Sequence, residues 1–474
     1  MARYGVKIRT WLPLMAIDEH IIQSFVSLLG VDKVLTDPVD RLTYGYDNSR
    51  EQALPDLVVF PENHEDVVSI LQLCHKHEIP VTCRGRGTGT TGAAVPVNGG
   101  LVLSTERMTS ILEMVPGDRL MVVEPGVTNK VVQQAAEEQG FFWPPDPTSS
   151  AVCTIGGNLA YNSAGPRAVK YGTPRENVLG LRAVTGTGEE FRTGVRTTKG
   201  VVGYDLTRLL IGSEGTLAVI TEATLKLTPL AESKCTLQAI YSDISSAAEA
   251  VSSIMAQPVV PCALEFIDGH AIEMVRDYSS VDLPKNAGAM LMIEIDGSES
   301  AMAQSISTVS KVASNNGLIC LNEAKTDDEI NALWETRKAL SPALRNVAPK
   351  KINEDIVVPV SQLPALIIGL ENLGNQHEIT IVNFGHAGNG NIHVNLLIDP
   401  DDPEQMARAK SCLNDIFSMV IALGGTISGE HGVGLVKRDF VEREIDATSL
   451  SLMREIKAAF DPLNILNSGK TLPQ

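Results

Sequence analysis

The chain has 474 residues, 43% of them apolar, with 39 Lys plus Arg against 57 Asp plus Glu and a net charge of −18. That length exceeds one hydrophobic core and predicts two or three domains. The acidic balance argues against nucleic acid as a partner, which needs a basic face. Seven scattered cysteines without a Cys-x-x-Cys pair indicate buried thiols in a reducing cytoplasm and argue against iron–sulfur clusters and thiolate zinc sites.

Met1 to Met15 carries three basic residues and the apolar patch Trp11-Leu12-Pro13-Leu14-Met15, too short for a secretory signal. No apolar run reaches membrane-span length, so a cytoplasmic location is expected, with peripheral attachment at the inner membrane left open. Residues 1–50 read as a helical lead-in. Leu57 to Phe60 reads as a buried strand, and Asn63 caps a helix through about Lys76, with Asp66 at its third position. Ile79 to Cys83 is a strand that runs into a glycine cluster. Leu101 to Leu103 and Met121 to Val123 are further strands, and Thr128 caps a helix closed by Gly140. Beyond Leu225 to Leu230 the texture changes. Strand-like runs at Thr236 to Tyr241 and Ala289 to Ile295 alternate with Ala/Ser-rich helices at Ile244 to Gln257 and Ser300 to Asn315. A last helical pattern, Leu450 to Phe460, meets the stop signal Asp461-Pro462. The layout is α+β, with a first domain over residues 1–228, a second over 229–425 and a C-terminal segment over 426–474 that returns to the first.

Arg84-Gly85-Arg86-Gly87-Thr88-Gly89-Thr90-Thr91-Gly92 holds four glycines and three threonines in nine residues. Glycines let backbone N–H groups close on phosphate oxygens as an anion nest, and threonine hydroxyls add donors. Gly87-x-Gly89-x-x-Gly92 matches the dinucleotide fingerprint in letters only. A helix must open at its last glycine, whereas Pro96 stands where that helix interior would lie. The cluster is therefore read as a strand–loop–strand phosphate site that does not bind NAD. A second small-residue tract follows the stiff turn Pro144 to Ser150: Thr154-Ile155-Gly156-Gly157-Asn158-Leu159-Ala160-Tyr161-Asn162-Ser163-Ala164-Gly165. It permits close backbone approach to a flat ring or a pyrophosphate. Tyr171-Gly172 and Gly212-Ser213-Glu214-Gly215-Thr216-Leu217 come later.

The last third concentrates chemistry. His386, His393, Glu430 and His431 lie among glycines in a chain with nine histidines. Asn389-Gly390 is a strong two-residue hairpin signal. With those two at the turn centre, His386 falls opposite His393, where Cβ atoms are about 4.5–5.5 Å apart, and Asn395 shares the face of His393. Two imidazoles and the Glu430 carboxylate form a three-ligand set with an open position, suited to zinc, manganese or iron(II). His431, adjacent to Glu430, is a candidate general base, a task imidazole suits. Arg337 and Ser341 share a helix face at i, i+4, and Arg337 is placed to clamp a carboxylate. Lys437 is either an anion contact or a surface lysine.

Strand-Arg-Gly-x-Gly-Thr-x-x-x-Gly, Pro-Asp-Pro with Ile-Gly-Gly-Asn-x-Ala-x-Asn-x-x-Gly, Tyr-Gly, Gly-Ser-Glu-Gly-Thr-Leu, His-x-Gly-x-Gly-Asn-x-His-x-Asn and Gly-Glu-His-Gly occur in that order. The chain resembles the FAD-linked 2-hydroxyacid dehydrogenases from about residue 20 to Leu472: D-lactate dehydrogenases, glycolate oxidase FAD subunits and D-2-hydroxyglutarate dehydrogenases. The resemblance implies a vanillyl-alcohol-oxidase type FAD domain in two subdomains and a ferredoxin-like α+β substrate domain. It implies that Arg84, Gly85, Gly87, Thr88, Gly89, Thr90 and Gly92 cradle the FAD pyrophosphate. Pro147, Thr148, Gly156, Gly157, Ala160 and Gly165 would line flavin and ribityl, and Ile220 the adenine side. It assigns metal, zinc first, to His386, His393 and Glu430, and a substrate arginine to Arg337. A lysine for a second carboxylate, found in the D-2-hydroxyglutarate dehydrogenases, corresponds here to Asn353. No histidine lies between His77 and His270, so FAD is expected to be non-covalent.

The expected reaction is oxidation of a D-2-hydroxy acid to the 2-oxo acid, D-lactate first, with glycolate and D-2-hydroxyglutarate behind it. The metal acidifies the C2 hydroxyl, His431 takes its proton, and hydride passes to flavin N5. Arg337, Ser341, Asn395 and Lys437 contact substrate. An external acceptor (a quinone, a cytochrome or an electron-transfer flavoprotein) takes the electrons, and a homodimer is allowed. Two alternatives stand beside this reading: the FAD subunit of a glycolate oxidase complex, and a non-redox metal-dependent hydrolase.

Overall fold

The computed structural model describes residues 17–276, 283–324 and 326–473, so Met1 to Met15 lie outside the described residues. The chain forms two compact units. The first gathers the residues up to Ala164, Thr173–Leu230 and Glu430–Gln474, and the second Gly165–Gly172 and Ala231–Gly429.

In the first unit a four-stranded sheet has the order Val34–Leu35, Leu57–Val59, Leu101–Ser104, Val81–Arg84. Leu101–Ser104 is parallel to both of its neighbours. Asn63 caps the helix His64–Lys76 by accepting from Asp66 N at 2.8 Å, as the sequence predicts. Val67, Ile70, Leu71 and Cys74 of that helix are buried against Leu57, Val59, Leu101 and Leu103. Residues 85–100, which join two parallel strands, contain no helix, in agreement with a strand–loop–strand site and not a Rossmann turn.

A second, antiparallel sheet has the order Ile111–Val115, Leu120–Val123, Ala218–Lys226, Val178–Thr185, Glu190–Gly194. Its core is built around Trp143, whose indole Nε1 donates to Asn177 O at 3.0 Å. Helices Asn129–Glu137, capped by Thr128, and Ile155–Tyr161, capped by Thr154, pack into it, and Ile456 and Phe460 of Ala447–Phe460 join them. The chain then lies along Val81–Arg84. Val81 N donates to Ile465 O at 2.8 Å, and the buried Lys470 Nζ donates to Ala93 O at 2.7 Å and Thr82 Oγ1 at 3.3 Å.

The second unit is built on a seven-stranded antiparallel sheet. Its order is Leu318–Ala324, Ser233–Tyr241, Ala289–Gly297, Ala263–Asp268, Thr380–Gly385, Asn391–Ile398, Lys350–Val357. Ala263–Asp268 and Asn391–Ile398 are buried at every residue, so both faces are covered. Helices Gly269–Val275 and Asp327–Val347 cover Ile267, Val382 and Phe384. Ile244–Met255, Glu299–Ala313, Leu363–His377 and Pro403–Ala422 form the other helical layer.

Candidate active site

In the first unit the glycine loop is half-buried, and its backbone is anchored at both ends. Asn48 N donates to Gly89 O at 2.9 Å and Asn48 Nδ2 to Thr88 O at 3.1 Å, while Gly92 N donates to the Asp47 carboxylate at 3.0 Å. The amides of Arg86, Gly87, Thr88, Gly89 and Thr90 donate no hydrogen bond to any described residue. Five successive N–H groups without protein acceptors, four of them on half-buried residues (87–90), suit a pyrophosphate, so the loop fits the group. The Arg84 side chain turns away from this duty. Its guanidinium donates to Tyr46 O at 2.8 Å and Thr43 O at 3.2 Å and lies over the Tyr44 ring.

The second small-residue tract abuts the first. A Cβ on Gly85 would meet Thr154 Oγ1 at 2.4 Å, and one on Gly89 would meet Tyr161 Oη at 2.6 Å. Gly156 is needed because a Cβ there would fall 2.7 Å from Pro125 Cβ. Gly157 N donates to Thr154 Oγ1 at 3.3 Å. Gly157, Ala160 and Pro147 are half-buried, Thr148 is exposed, and Ile220 sits at a bulge in its strand. Gly165 belongs to the second unit.

The Glu430-His431 segment also belongs to the first unit. The Glu430 carboxylate accepts from Ala164 N at 3.2 Å, and Ser163 Oγ donates to Glu430 O at 3.1 Å. Thr91 Oγ1, at the end of the glycine loop, donates to His431 O at 3.3 Å. Glu214, in left-handed backbone at φ 53°, accepts from Val433 N at 2.6 Å and Gly434 N at 2.8 Å. The Gly-Ser-Glu-Gly motif thus fixes the turn that carries His431. Lys437 is 1% exposed, which removes the surface-lysine alternative.

In the second unit the histidine hairpin departs from its expected register. His393 pairs with Phe384 and Asn395 with Val382, so His386 is not opposite His393. The strand stops at Gly385, a 3₁₀ turn takes Ala387–Asn389, and Gly390 closes it at φ 71°. Asn389 N and Asn391 N both donate to His386 O, at 3.0 and 3.2 Å. A 3₁₀ turn ended by a left-handed glycine replaced the two-residue turn because both amides close on one carbonyl. The displacement is two residues, which preserves strand parity. The rings still meet edge to face, centroids 5.2 Å apart, at 6% and 7% exposure.

The same sheet face holds acids that sequence reading passed over. Glu265, 1% exposed, accepts from His386 Nδ1 at 2.6 Å through one oxygen and from Arg337 Nε at 2.6 Å through the other. Burial pushes its carboxyl up, but His386 and Arg337 outweigh that and hold it down to about 2. Arg337 also lies over the Phe384 ring, 4.9 Å from its centroid. Asp355, opposite His393 in register, has Oδ1 3.6 Å from His393 Nδ1 and accepts from Asn391 Nδ2 at 2.6 Å and Gly429 N at 2.8 Å. The signal was present: Ala-Leu-Glu-Phe-Ile-Asp carries Glu265 between apolar residues, and an acid buried in such a strand needs hydrogen-bond or charged partners.

Asn395 is fully buried. Its amide donates to Val382 O and His393 O and accepts from Asn353 Nδ2 at 2.7 Å, so it holds the strand carrying His393. Ser341 lies on the helix of Arg337, and its side chain falls outside the described residues. Two buried imidazoles set beside buried carboxylates, Glu265 on His386 and Asp355 near His393, are an arrangement that suits a divalent ion.

Residues 55–194 match an FAD binding domain, and residues 230–471 match the C-terminal domain of FAD linked oxidases. The chain belongs to the FAD-linked oxidases. Among its relatives, the glycolate oxidase subunit GlcD of Bacillus subtilis is 38% identical over 96% of this chain and 97% of its own. A D-lactate dehydrogenase of Archaeoglobus fulgidus is 36% identical over 88% of this chain and 91% of its own. Substrate-bound p-cresol methylhydroxylase shares the fold, with TM-score 0.79 at 19% identity over 98% of this chain and 99% of the other. The α+β, vanillyl-alcohol-oxidase type fold anticipated from the motifs is therefore present. As an FAD-linked oxidoreductase, this chain does not fit the hydrolase alternative. No described helix is long and apolar enough to cross a membrane.

Proposed function

We propose that this FAD-linked oxidase oxidises a D-2-hydroxy acid to the 2-oxo acid, with D-lactate as the first substrate and glycolate behind it. One observation carries the reading. A single buried carboxylate joins a histidine of the metal-ligand type, His386, to a buried arginine, Arg337. A 2-hydroxy acid offers the two matching handles, a hydroxyl for a Lewis acid and a carboxylate for a guanidinium. Relatives named for glycolate and D-lactate support it.

When bound, FAD supplies the two-electron acceptor and a divalent ion, zinc first, supplies the Lewis acid. Non-covalent FAD is held by the glycine loop from Gly85 to Gly92, by Pro147, Thr148, Gly156, Gly157, Ala160 and Gly165, and by Ile220 toward adenine. His386, His393 and Glu430 hold the ion. Arg337 binds the substrate carboxylate with guanidinium edges not used on Glu265, and Lys437 adds a second cation. His431, fixed through its carbonyl by Thr91, takes the hydroxyl proton at its imidazole. Asn395 acts through His393 and not on substrate. Electrons leave to an external acceptor, a quinone, a cytochrome or an electron-transfer flavoprotein.

The test is anaerobic flavin bleaching by a panel of D- and L-2-hydroxy acids, with and without chelator. Bleaching by D-acids that the chelator abolishes is expected; bleaching by none of them overturns the reading. A second reading, one subunit of a larger glycolate oxidase assembly, is favoured by the word subunit in the name of the Bacillus relative. Full turnover of the purified chain with an artificial dye would overturn it.

A further inference from the structure

The proposed carboxylate anchor, Arg337, lies on the helix Asp327–Val347, and the proposed metal ligand His386 lies at the start of the turn Ala387–Asn389. Here they meet in Glu265. Its two oxygens are divided, one to His386 Nδ1 and one to Arg337 Nε, both at 2.6 Å. The side chain rises from Ala263–Asp268, a strand buried along its whole length. That strand pairs with Ala289–Gly297 on one side and Thr380–Gly385 on the other, so its backbone is fixed on both edges. Glu265 is therefore a rigid post and not a mobile surface acid.

A neutral imidazole carries one N–H. A carboxylate accepting from Nδ1 places that hydrogen on Nδ1 and the lone pair on Nε2, the form in which histidine ligates a metal. The same carboxylate takes the Nε edge of the guanidinium. The plane of Arg337 is then set by Glu265 on one side and the Phe384 ring beneath it, with the Nη edge as the fork for a substrate carboxylate.

We infer that Glu265 is a positioning residue that sets the tautomer of His386 and the orientation of Arg337 together, so that metal affinity and substrate-carboxylate affinity depend on one side chain. This deepens the proposed function and rests on its metal and anchor assignments.

The experiment uses the flavin-loaded full chain. Zinc affinity is measured by chelator competition and, separately, KM and kcat with D-lactate, for wild type, Glu265→Gln, Glu265→Asp and His386→Ala. Glu265→Gln preserves shape and removes the charge; Glu265→Asp keeps the charge and shortens the reach. Both are expected to retain FAD, to bind zinc roughly 10–100-fold more weakly, and to raise KM more than they lower kcat. A residue that merely holds the fold would lower the melting temperature without moving zinc affinity and KM together. Wild-type zinc affinity and KM in both Glu265 variants, alongside loss of zinc in His386→Ala, overturns the inference and leaves the metal assignment standing. Equal zinc binding by wild type and His386→Ala overturns both.

Discussion

Glu265 Oε1 accepts a hydrogen bond from His386 Nδ1 at 2.6 Å, and this contact ties the end of a loop to the middle of a buried strand. His386 lies just beyond the strand Thr380–Gly385, where this bond and the edge-to-face contact with His393 hold its ring. Replacing His386 or His393 with alanine should therefore abolish zinc binding, with metal-to-protein ratio by elemental analysis as the check. Stoichiometric zinc in either variant would refute the ligand assignment.

Arg337→Lys retains charge but loses the planar fork. Charge-assisted hydrogen bonds are worth about 1.5–3 kcal/mol, so KM for the hydroxy acid should rise roughly ten- to hundred-fold, with kcat less affected. Steady-state kinetics decide it, and an unchanged KM removes Arg337 from the substrate.

His431→Ala should retain FAD, because Thr91 and Glu214 bond the backbone of this segment and not the imidazole. Flavin reduction by substrate should slow by roughly 10²–10⁴-fold in anaerobic stopped-flow. Wild-type bleaching would show that another group takes the proton.

Gly85→Ala should lower the flavin-to-protein absorbance ratio, because its new methyl would fall 2.4 Å from Thr154 Oγ1. That hydroxyl caps the helix Ile155–Tyr161, so both small-residue tracts are disturbed at once. Adding Thr154→Ala should relieve the clash while removing a cap worth about 1 kcal/mol. A single variant with full flavin content would contradict the close packing of the two tracts.

Lys470 supplies a pH prediction. Burial pulls its ammonium down to about 7, while Cys83, Asp47 and Glu214 resist. The unfolded chain therefore binds the extra proton between about 7 and the ordinary lysine value, and stability should rise with pH across that window, by at most about 1.4 kcal/mol per pH unit. In urea titrations wild type should gain on Lys470→Met between pH 7 and 10. A difference that stays constant refutes it.

Local signals were legible in the sequence. Asn63, Thr128 and Asp461-Pro462 mark helix ends because capping is settled within a few residues. The strand–loop–strand character of residues 85–100 followed from Pro96. The hairpin register was not legible, because Asn389-Gly390 serves equally well inside a 3₁₀ turn closed at Gly390. Glu265 and Asp355 were missed because their partners lie 121 and 38 residues away, respectively, and only sheet order brings them together. Arg84 reads as a phosphate ligand by its place beside the glycines, and only the fold of residues 43–46 shows what its guanidinium holds.

The divided carboxylate of Glu265 bears on attempts to redesign the chain for a different acid. Changes at 337 and at 386 will not be independent, since each leaves the other sharing a buried carboxylate that has one hydrogen-bond donor fewer. Libraries that replace the arginine with uncharged residues leave Glu265 with the His386 bond alone, and selection for a new side-chain preference should let residue 265 vary together with 337.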